Sequence, residues 1–153
     1  MMKALGLDVG DSKVGVAVSD GLGYTAQGLM TFKRRSLMRD LRFIQKLIRD
    51  YDVGEVVIGL PLKMDGTRSS QTNKILAFRD FLAKHLRIPV RTWDERLTTV
   101  QAIKILKRGH SRRKKRDPLI DKVAAVIILQ GYLDHKNLEK EFKEMSYVDS
   151  TPQ

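Results

Sequence analysis

The sequence predicts an α/β domain with one mixed sheet and helices on both of its faces. Three features predict it. Three strand-like segments follow one another from Lys3, helical periodicity first appears only after Lys33, and helix and strand alternate from there on. Lys3 to Val9 and Lys13 to Ser19 read as a hairpin joined by Gly10, Asp11 and Ser12. Thr25 to Lys33 follows as a third strand, with Gly28 as its weak point. Residues 37 to 51 carry Leu37, Leu41, Ile44, Ile48 and Tyr51 on one stripe. Arg39, Arg42, Lys46 and Arg49 lie away from it, so the segment is an amphipathic helix that Ser36 can cap. Glu55 to Leu60, EVVIGL, is a short continuous apolar run of the kind that forms a buried central strand. Pro61 to Ser70 is a polar, glycine-containing loop, and Ile75, Phe78, Leu82 and Leu86 mark a second helix. Pro89 to Trp93 is a fifth strand, running into Asp94-Glu95-Arg96, and Thr98 to Lys107 reads as a helix. Asp117-Pro118 is a strong helix start, and this last helix is expected to reach about Asp134. The expected organisation is one domain over residues 1–136 and a polar, frayed tail over 137–153.

Composition narrows the partners. Twenty-nine Lys and Arg against 18 Asp and Glu give a net charge of +11 and a pI near 10.0. That balance favours a polyanion, nucleic acid first and an anionic membrane surface second. The chain has no cysteine, which excludes disulfides and thiolate metal sites and is compatible with the cytosol. We expect a cytoplasmic protein. The longest apolar run, Val123 to Leu129, is too short to span a bilayer, and no signal-peptide pattern precedes the first strand.

Three acids stand where packing alone does not call for them. Asp8 interrupts the first apolar strand, where a carboxylate is costly unless something positive meets it. Glu95 follows the last strand. Asp121 lies one turn into the last helix, beside Ala124 and Ala125, whose small side chains would let that helix approach the sheet closely. Each acid has a simple structural alternative: a turn hydrogen bond for Asp8, solvation for Glu95, and the helix dipole for Asp121. Carboxylates that converge need a cation, and oxygen donors of this type suit Mg²⁺ or Mn²⁺. In so basic a chain such ions point to phosphodiester chemistry, where two ions about 4 Å apart activate water and stabilise the leaving oxygen.

Four blocks, LGLDVGDSKVGVAVSD, GLPLKMDG, DERLTT and IDKVAAVIILQGYL, together resemble the YqgF/RuvX family, an RNase H-like group related to Holliday junction resolvases. They stand in the family's order and cover the chain to about Leu133. The DxG hairpin alone also opens the sugar kinases and actin-like ATPases; the four in order are specific. The resemblance implies an RNase H-like mixed five-stranded sheet and a divalent-metal nuclease that processes the 5′ end of pre-16S rRNA, with Holliday junction resolution as the older proposal. By motif match Asp8 is the acid of the first strand, Glu95 the middle acid of DER and Asp121 the helix acid, together the catalytic and metal-binding set. Structured RNA is then the favoured substrate, branched DNA the alternative, and ribosome-assembly intermediates the implied partners. The pattern departs from related resolvases at Pro118, where they look to carry a further acid. Asp117 is a candidate fourth ligand, though an N-cap role is simpler for it. Asp94 alternates with Glu95 and points the other way, and Asp11 reads as a turn residue.

Other residues have supporting roles. Arg96 can hold a phosphate bidentately or form a structural ion pair. KRGHSRRKKR, residues 107 to 116, has seven Lys or Arg in ten positions. Its Arg112, Arg113, Lys114, Lys115 and Arg116 are either a solvated loop or a phosphate-gripping one, and their place just before the Asp121 helix favours the latter. Gly10 shapes the first turn, and Gly59, Pro61 and Gly66 shape the loop after the central strand, where Lys63, Thr67 and Arg68 are candidate substrate contacts. Trp93 is expected in the core. His85, His110 and His135 lack metal-ligand spacing; His110 is a candidate phosphate contact and the other two are surface residues. Two rivals remain: an actin-like ATP-binding domain, for which 153 residues supply only one of two halves, and a non-catalytic RNA-binding assembly factor, which has no use for three acids in a basic groove.

Overall fold

The computed structural model describes residues 2–99 and 118–150. Its strands are β1 (Lys3–Val9), β2 (Lys13–Ser19), β3 (Ala26–Lys33), β4 (Val53–Leu60) and β5 (Val90–Asp94). Its helices are α1 (Leu37–Asp50), α2 (Ser70–His85) and α3 (Pro118–Ser150), with a 3-10 turn over Glu95–Leu97. The strands form one sheet in the order β3-β2-β1-β4-β5. The β1–β2 and β2–β3 pairs are antiparallel, whereas β4 runs parallel to both β1 and β5. The mixed five-stranded sheet is therefore as expected, with ends within two residues of the sequence reading. The weak point at Gly28 is a bulge: Val16 pairs with Met30 but Ala17 with Gly28, so Leu29 is the extra residue.

The period-two alternation of β1 divides the interior into two unequal layers. Leu5, Leu7 and Val9 face α1 and α2, packing with Ile44, Leu47, Ile75, Phe78 and Leu82. The alternate residues, Ala4, Gly6 and Asp8, face the other way, where Ala17, Val57 and Trp93 meet Ala124, Ala125, Ile128 and Leu129 of α3. The α3 side is thus lined with small residues, and the helix lies close on the sheet. A Cβ on Gly6 would stand 2.7 Å from the Leu129 Cβ, and one on Gly15 would stand 2.1 Å from the Asp121 carbonyl oxygen.

Capping is local and readable. The Ser36 hydroxyl accepts from the Arg39 amide at 3.2 Å. Ser69 and Thr72 form a reciprocal capping box at the start of α2. Asp40 is buried in α1 because Arg34 Nε reaches it at 3.2 Å and the Arg35 amide at 3.1 Å.

The C-terminal segment departs from expectation. Instead of ending near Asp134 and fraying, α3 continues to Ser150. No Gly or Pro interrupts residues 134–150, and Pro152 is the first breaker. Lys136 Nζ bonds Glu55 at 2.9 Å, Asn137 donates to the Gly23 carbonyl at 3.0 Å, and His135 lies 3.1 Å from Glu139 one turn on. The expected helix at Thr98 to Lys107 falls outside the described residues beyond Thr99, and Thr98 itself is the extended cap of the 3-10 turn.

The close α3 contact gives a stability prediction. Gly15→Ala places a methyl against backbone, so the helix must move, at a cost of about 1–3 kcal/mol. Gly28→Ala meets only the Lys122 side chain, 2.6 Å from its Cγ, and should cost less because that chain can swing away. Thermal melts of both variants check this; equal losses would contradict it.

Candidate active site

Asp8, Glu95 and Asp121 are all buried, at 5%, 0% and 3% exposure, and all lie on the α3 side of the sheet. The register shows why they are neighbours. Asp8 pairs with Gly15 of β2, and it is over Gly15 that the backbone of Asp121 passes. On the other flank Leu7 pairs with Ile58, so Gly59 is the next residue of β4 beside Asp8. A Cβ on Gly59 would stand 2.6 Å from Glu95 Oε1. Asp8 therefore sits between two glycines, one leaving space for Asp121 and the other for the Glu95 carboxylate. The site occupies the carboxyl edge of the parallel strands β1, β4 and β5, where open α/β sheets bind ligands.

The fit to a divalent cation rests on donor chemistry and on this glycine-lined cradle. Three buried carboxylates are a hard, all-oxygen donor set suited to Mg²⁺ or Mn²⁺. None of the three is an isolated charge. Among the described residues no three Asp, Glu, His or Cys side chains have the spacing of ligands to a single ion.

Arg96 forms a structural ion pair. Its guanidinium holds Asp94 in a fork, with Nε 3.1 Å from both carboxylate oxygens and one terminal nitrogen 2.7 Å from Oδ2. The other terminal nitrogen donates to the Met64 carbonyl at 3.3 Å. The ion pair open to Arg96 is present, and its side chain stays partly exposed, at 29%. Asp94 also accepts from the Arg96 amide at 2.9 Å, capping the 3-10 turn that turns Glu95 inward. Hydrogen bonds from the Arg96 side chain hold the Asp94 carboxyl below its ordinary range.

The loop after β4 is a compact turn. The Gly66 amide donates to the Lys63 carbonyl at 2.8 Å, with a φ of +87° that suits glycine, and Arg96 packs beside it. The Thr72 hydroxyl bonds the Pro61 carbonyl and fastens the loop to α2. Lys63, Thr67 and Arg68 are exposed on it. Gly10 closes the hairpin by donating to the Lys13 carbonyl at 2.9 Å. Asp11 is an exposed turn residue, 3.5 Å from Lys74. Trp93 is buried edge-on to Tyr132, as a core residue. Arg112 to Arg116, His110 and Asp117 lie outside the described residues.

Arg34 went unrecognised in the sequence. Besides its pair with Asp40 it donates to the Gly10 carbonyl at 3.1 Å and lies 4.8 Å above the Phe78 ring. It fixes the turn that follows Asp8. Its only sequence signal is a cation six residues before a buried acid, across a helix cap.

Sheet order and the acid edge define an RNase H-like domain. Two solved structures share this fold at 15% identity: Thermus thermophilus RuvC in complex with a Holliday junction substrate (TM-score 0.53; 89% of this chain, 96% of that one) and T. thermophilus RuvC described without one (0.51; 88% and 96%). The family model RuvX, described as Holliday junction resolvase, matches residues 2–135, and the chain belongs to that family. Its relatives include proteins named "Putative pre-16S rRNA nuclease" from Clostridium botulinum strain Hall (49% identical over 133 residues; 87% of this chain, 97% of that one) and from Halothermothrix orenii (49% over 136; 89% and 97%).

The Asp94–Arg96 pair makes a pH prediction. The folded pKa of Asp94 lies below its ordinary 3.8, so the pair's contribution is complete above that value. It is lost as pH falls through the lower folded value. Asp94→Asn should cost up to about 1 kcal/mol near neutral pH. The difference in melting temperature from wild type should shrink as the buffer is taken below pH 4. A difference that persisted in strong acid would mean that charge plays no part.

Proposed function

We propose that this chain is a divalent-metal-dependent nuclease that hydrolyses phosphodiester bonds of structured RNA, acting at the 5′ end of pre-16S rRNA during ribosome biogenesis. One observation carries the reading: Asp8, Glu95 and Asp121 are buried at one sheet edge of a chain whose net charge is +11. Names carried by the family relatives support the RNA substrate. The nuclease domain is residues 1–136, and its place of action is the cytoplasm. Among the described residues no helix is long and apolar enough to cross a membrane.

Asp8, Glu95 and Asp121 would hold Mg²⁺ or Mn²⁺, two ions in the full site. Such ions supply Lewis-acid polarisation of the phosphate and a nucleophilic water near neutral pH. The chain's own residues do the positioning. Asp8 is fixed by the sheet ladder, Glu95 is turned inward by the Asp94-capped 3-10 turn, and Asp121 is set by the contact of α3 with Gly15. Burial limits water around all three, which strengthens every electrostatic contact made there. Arg112, Arg113, Lys114, Lys115 and Arg116 grip backbone phosphate without reading sequence.

A second reading, junction resolution on branched DNA, is favoured by the RuvC-like fold and the family's description. A purely RNA-binding role is disfavoured by the three buried acids, which repel a polyanion.

The test is cleavage of a precursor 16S fragment and of a four-way DNA junction in Mn²⁺, by wild type and by Asp8→Asn, Glu95→Gln and Asp121→Asn. Each variant should lose at least about 100-fold in rate, more than the loss of a supporting shell residue typically costs. Mn²⁺ at about 100 times its Kd should stabilise the wild type by about 2.7 kcal/mol, and Asp8→Asn should respond much less. A wild type whose melting ignores metal would sink the proposal, as would near-normal cleavage by Glu95→Gln.

The basic run over residues 112–116 makes a separate prediction. Each phosphate neutralised contributes roughly 0.7–0.9 to the slope of log K against log salt. Replacing Arg113, Lys114 and Lys115 by Gln should flatten that slope by about 2 and weaken unrelated RNA sequences equally. An unchanged slope would mean that these residues take no part in binding.

A further inference from the structure

We infer that the outer face of α1 is a second, sequence-independent binding track for the nucleic-acid backbone, distinct from the acid edge. Arg39, Arg42, Lys46 and Arg49 are all exposed and recur at spacings of three and four, so they form one ridge along α1. Arg35, exposed just ahead of the helix, continues the ridge toward the start of α1. The ridge lies opposite the buried face of α1, which carries Asp40, Leu41, Ile44 and Leu47. Among the described residues none of these five cations makes an ion pair. Asp40, the acid in the first turn, is turned inward and held by Arg34. Two exposed acids, Asp50 and Asp52, stand at the far end of the ridge, the Asp52 amide bonding the Arg49 carbonyl.

Folding does not account for this pattern. Successive ridge cations are like-charged neighbours on one helix, which is destabilising. Arg39 also sits near the helix N-terminus, where the macrodipole disfavours a cation. An external polyanion would relieve both.

Placement says which polyanion. β3 runs parallel to β1, so the start of α1 lies at the same sheet end as Asp8. The Arg34 amide and side chain bind the Ser12 and Gly10 carbonyls at 2.8 and 3.1 Å, tying the head of α1 to the turn that follows Asp8. The ridge thus leaves the acid edge and runs along the opposite face of the sheet from α3 for about 20 Å, at 1.5 Å per residue. Successive cations one turn apart, about 5 Å, approximate the spacing of phosphates along a strand. A long, folded RNA with one helix at the acid edge and another bending around the domain would meet both surfaces. A short substrate would meet only the first.

The proposal rests on the nucleic-acid reading above, and its test keeps the two apart. Arg39→Gln/Arg42→Gln/Lys46→Gln/Arg49→Gln is compared with wild type and with a charge-keeping control, Arg39→Lys/Arg42→Lys/Arg49→Lys. Circular dichroism melts establish that all three are folded. Binding is measured against salt for a long folded precursor 16S fragment and for a short RNA hairpin cleaved at the same site. On the long RNA the Gln variant should lose about 3 from the slope of log K against log salt, and at least 10-fold in affinity at 0.1 M salt. On the hairpin its affinity should stay within about 2-fold of wild type, and the Lys variant should match wild type on both. Equal slopes for wild type and Gln variant on the long RNA would overturn the ridge and leave the nuclease reading standing. Equal losses on both RNAs would overturn it too, by showing only a general loss of positive charge. A wild type that binds neither RNA would instead defeat the underlying reading.

Discussion

The close contact of α3 with the sheet is the constraint on which the rest depends. It follows from the alternation in β1, where large residues point to one side and Ala4, Gly6 and Asp8 to the other. Placing small residues on one face lets a helix backbone come within reach of a strand. It also sends Asp8 to that same face, because the side-chain period is two. The tight packing and the buried acid are two consequences of one pattern. Gly15 and Gly59 extend it to the neighbouring strands, leaving space for Asp121 and Glu95 on either side of Asp8.

The acids of this chain sort by how they are answered. Asp40 and Asp94 are each held by an arginine close in sequence, Arg34 and Arg96, and both pairs shape a turn. Glu55 is held by Arg91, Tyr132 and Lys136 and joins α3 to the sheet. Asp20 receives the Tyr24 and Thr25 amides and sets the β2–β3 turn. These have structural work that their geometry explains. Asp8, Glu95 and Asp121 are brought to one edge by strand register and helix packing. Burying anions is costly, and a chain of net charge +11 lowers that cost.

Much of this was legible in the sequence because it is carried by local pattern. The hairpin ends at Val9 and Ser19, the Ser36 cap and the buried run at Val56 to Ile58 each follow from a few adjacent residues. Asp8, Glu95 and Asp121 stood out because an interrupted apolar strand, an acid just after a strand and a helix acid beside alanines are local anomalies, while their role as a set was implied by the family resemblance. Two things were not local. The role of Arg96 depended on Asp94 and on the Met64 carbonyl, which the fold brings from 32 residues away. The length of α3 depended on Glu55 and Gly23, whose contacts with Lys136 and Asn137 span 81 and 114 residues. A polar C-terminal segment looks frayed when its anchors are that remote.

Those remote anchors bear on the placement of Asp121 at the candidate site. Tyr132 lies eleven residues beyond Asp121, about 16 Å along the helix axis. Its hydroxyl donates to Glu55 at 3.0 Å. Burial works to raise the Glu55 carboxyl, but hydrogen bonds from Lys136 and Tyr132 bring it below its ordinary range. Burial and the same carboxylate push the Tyr132 phenol up to about 12. Donor and acceptor therefore keep their roles across the whole neutral range. At β3, Gln130 adds a second clasp, accepting from the Ala26 amide at 2.9 Å and donating to the Tyr24 carbonyl at 2.8 Å. With its far turns clasped to β3 and β4 and its near turn seated on Gly15, α3 has little freedom to slide or lift. An acid on a loop would have to be ordered whenever a cation or a phosphate arrived. Asp121 is held in advance, by contacts that involve neither, and such preorganisation is what a site built on rigid elements provides.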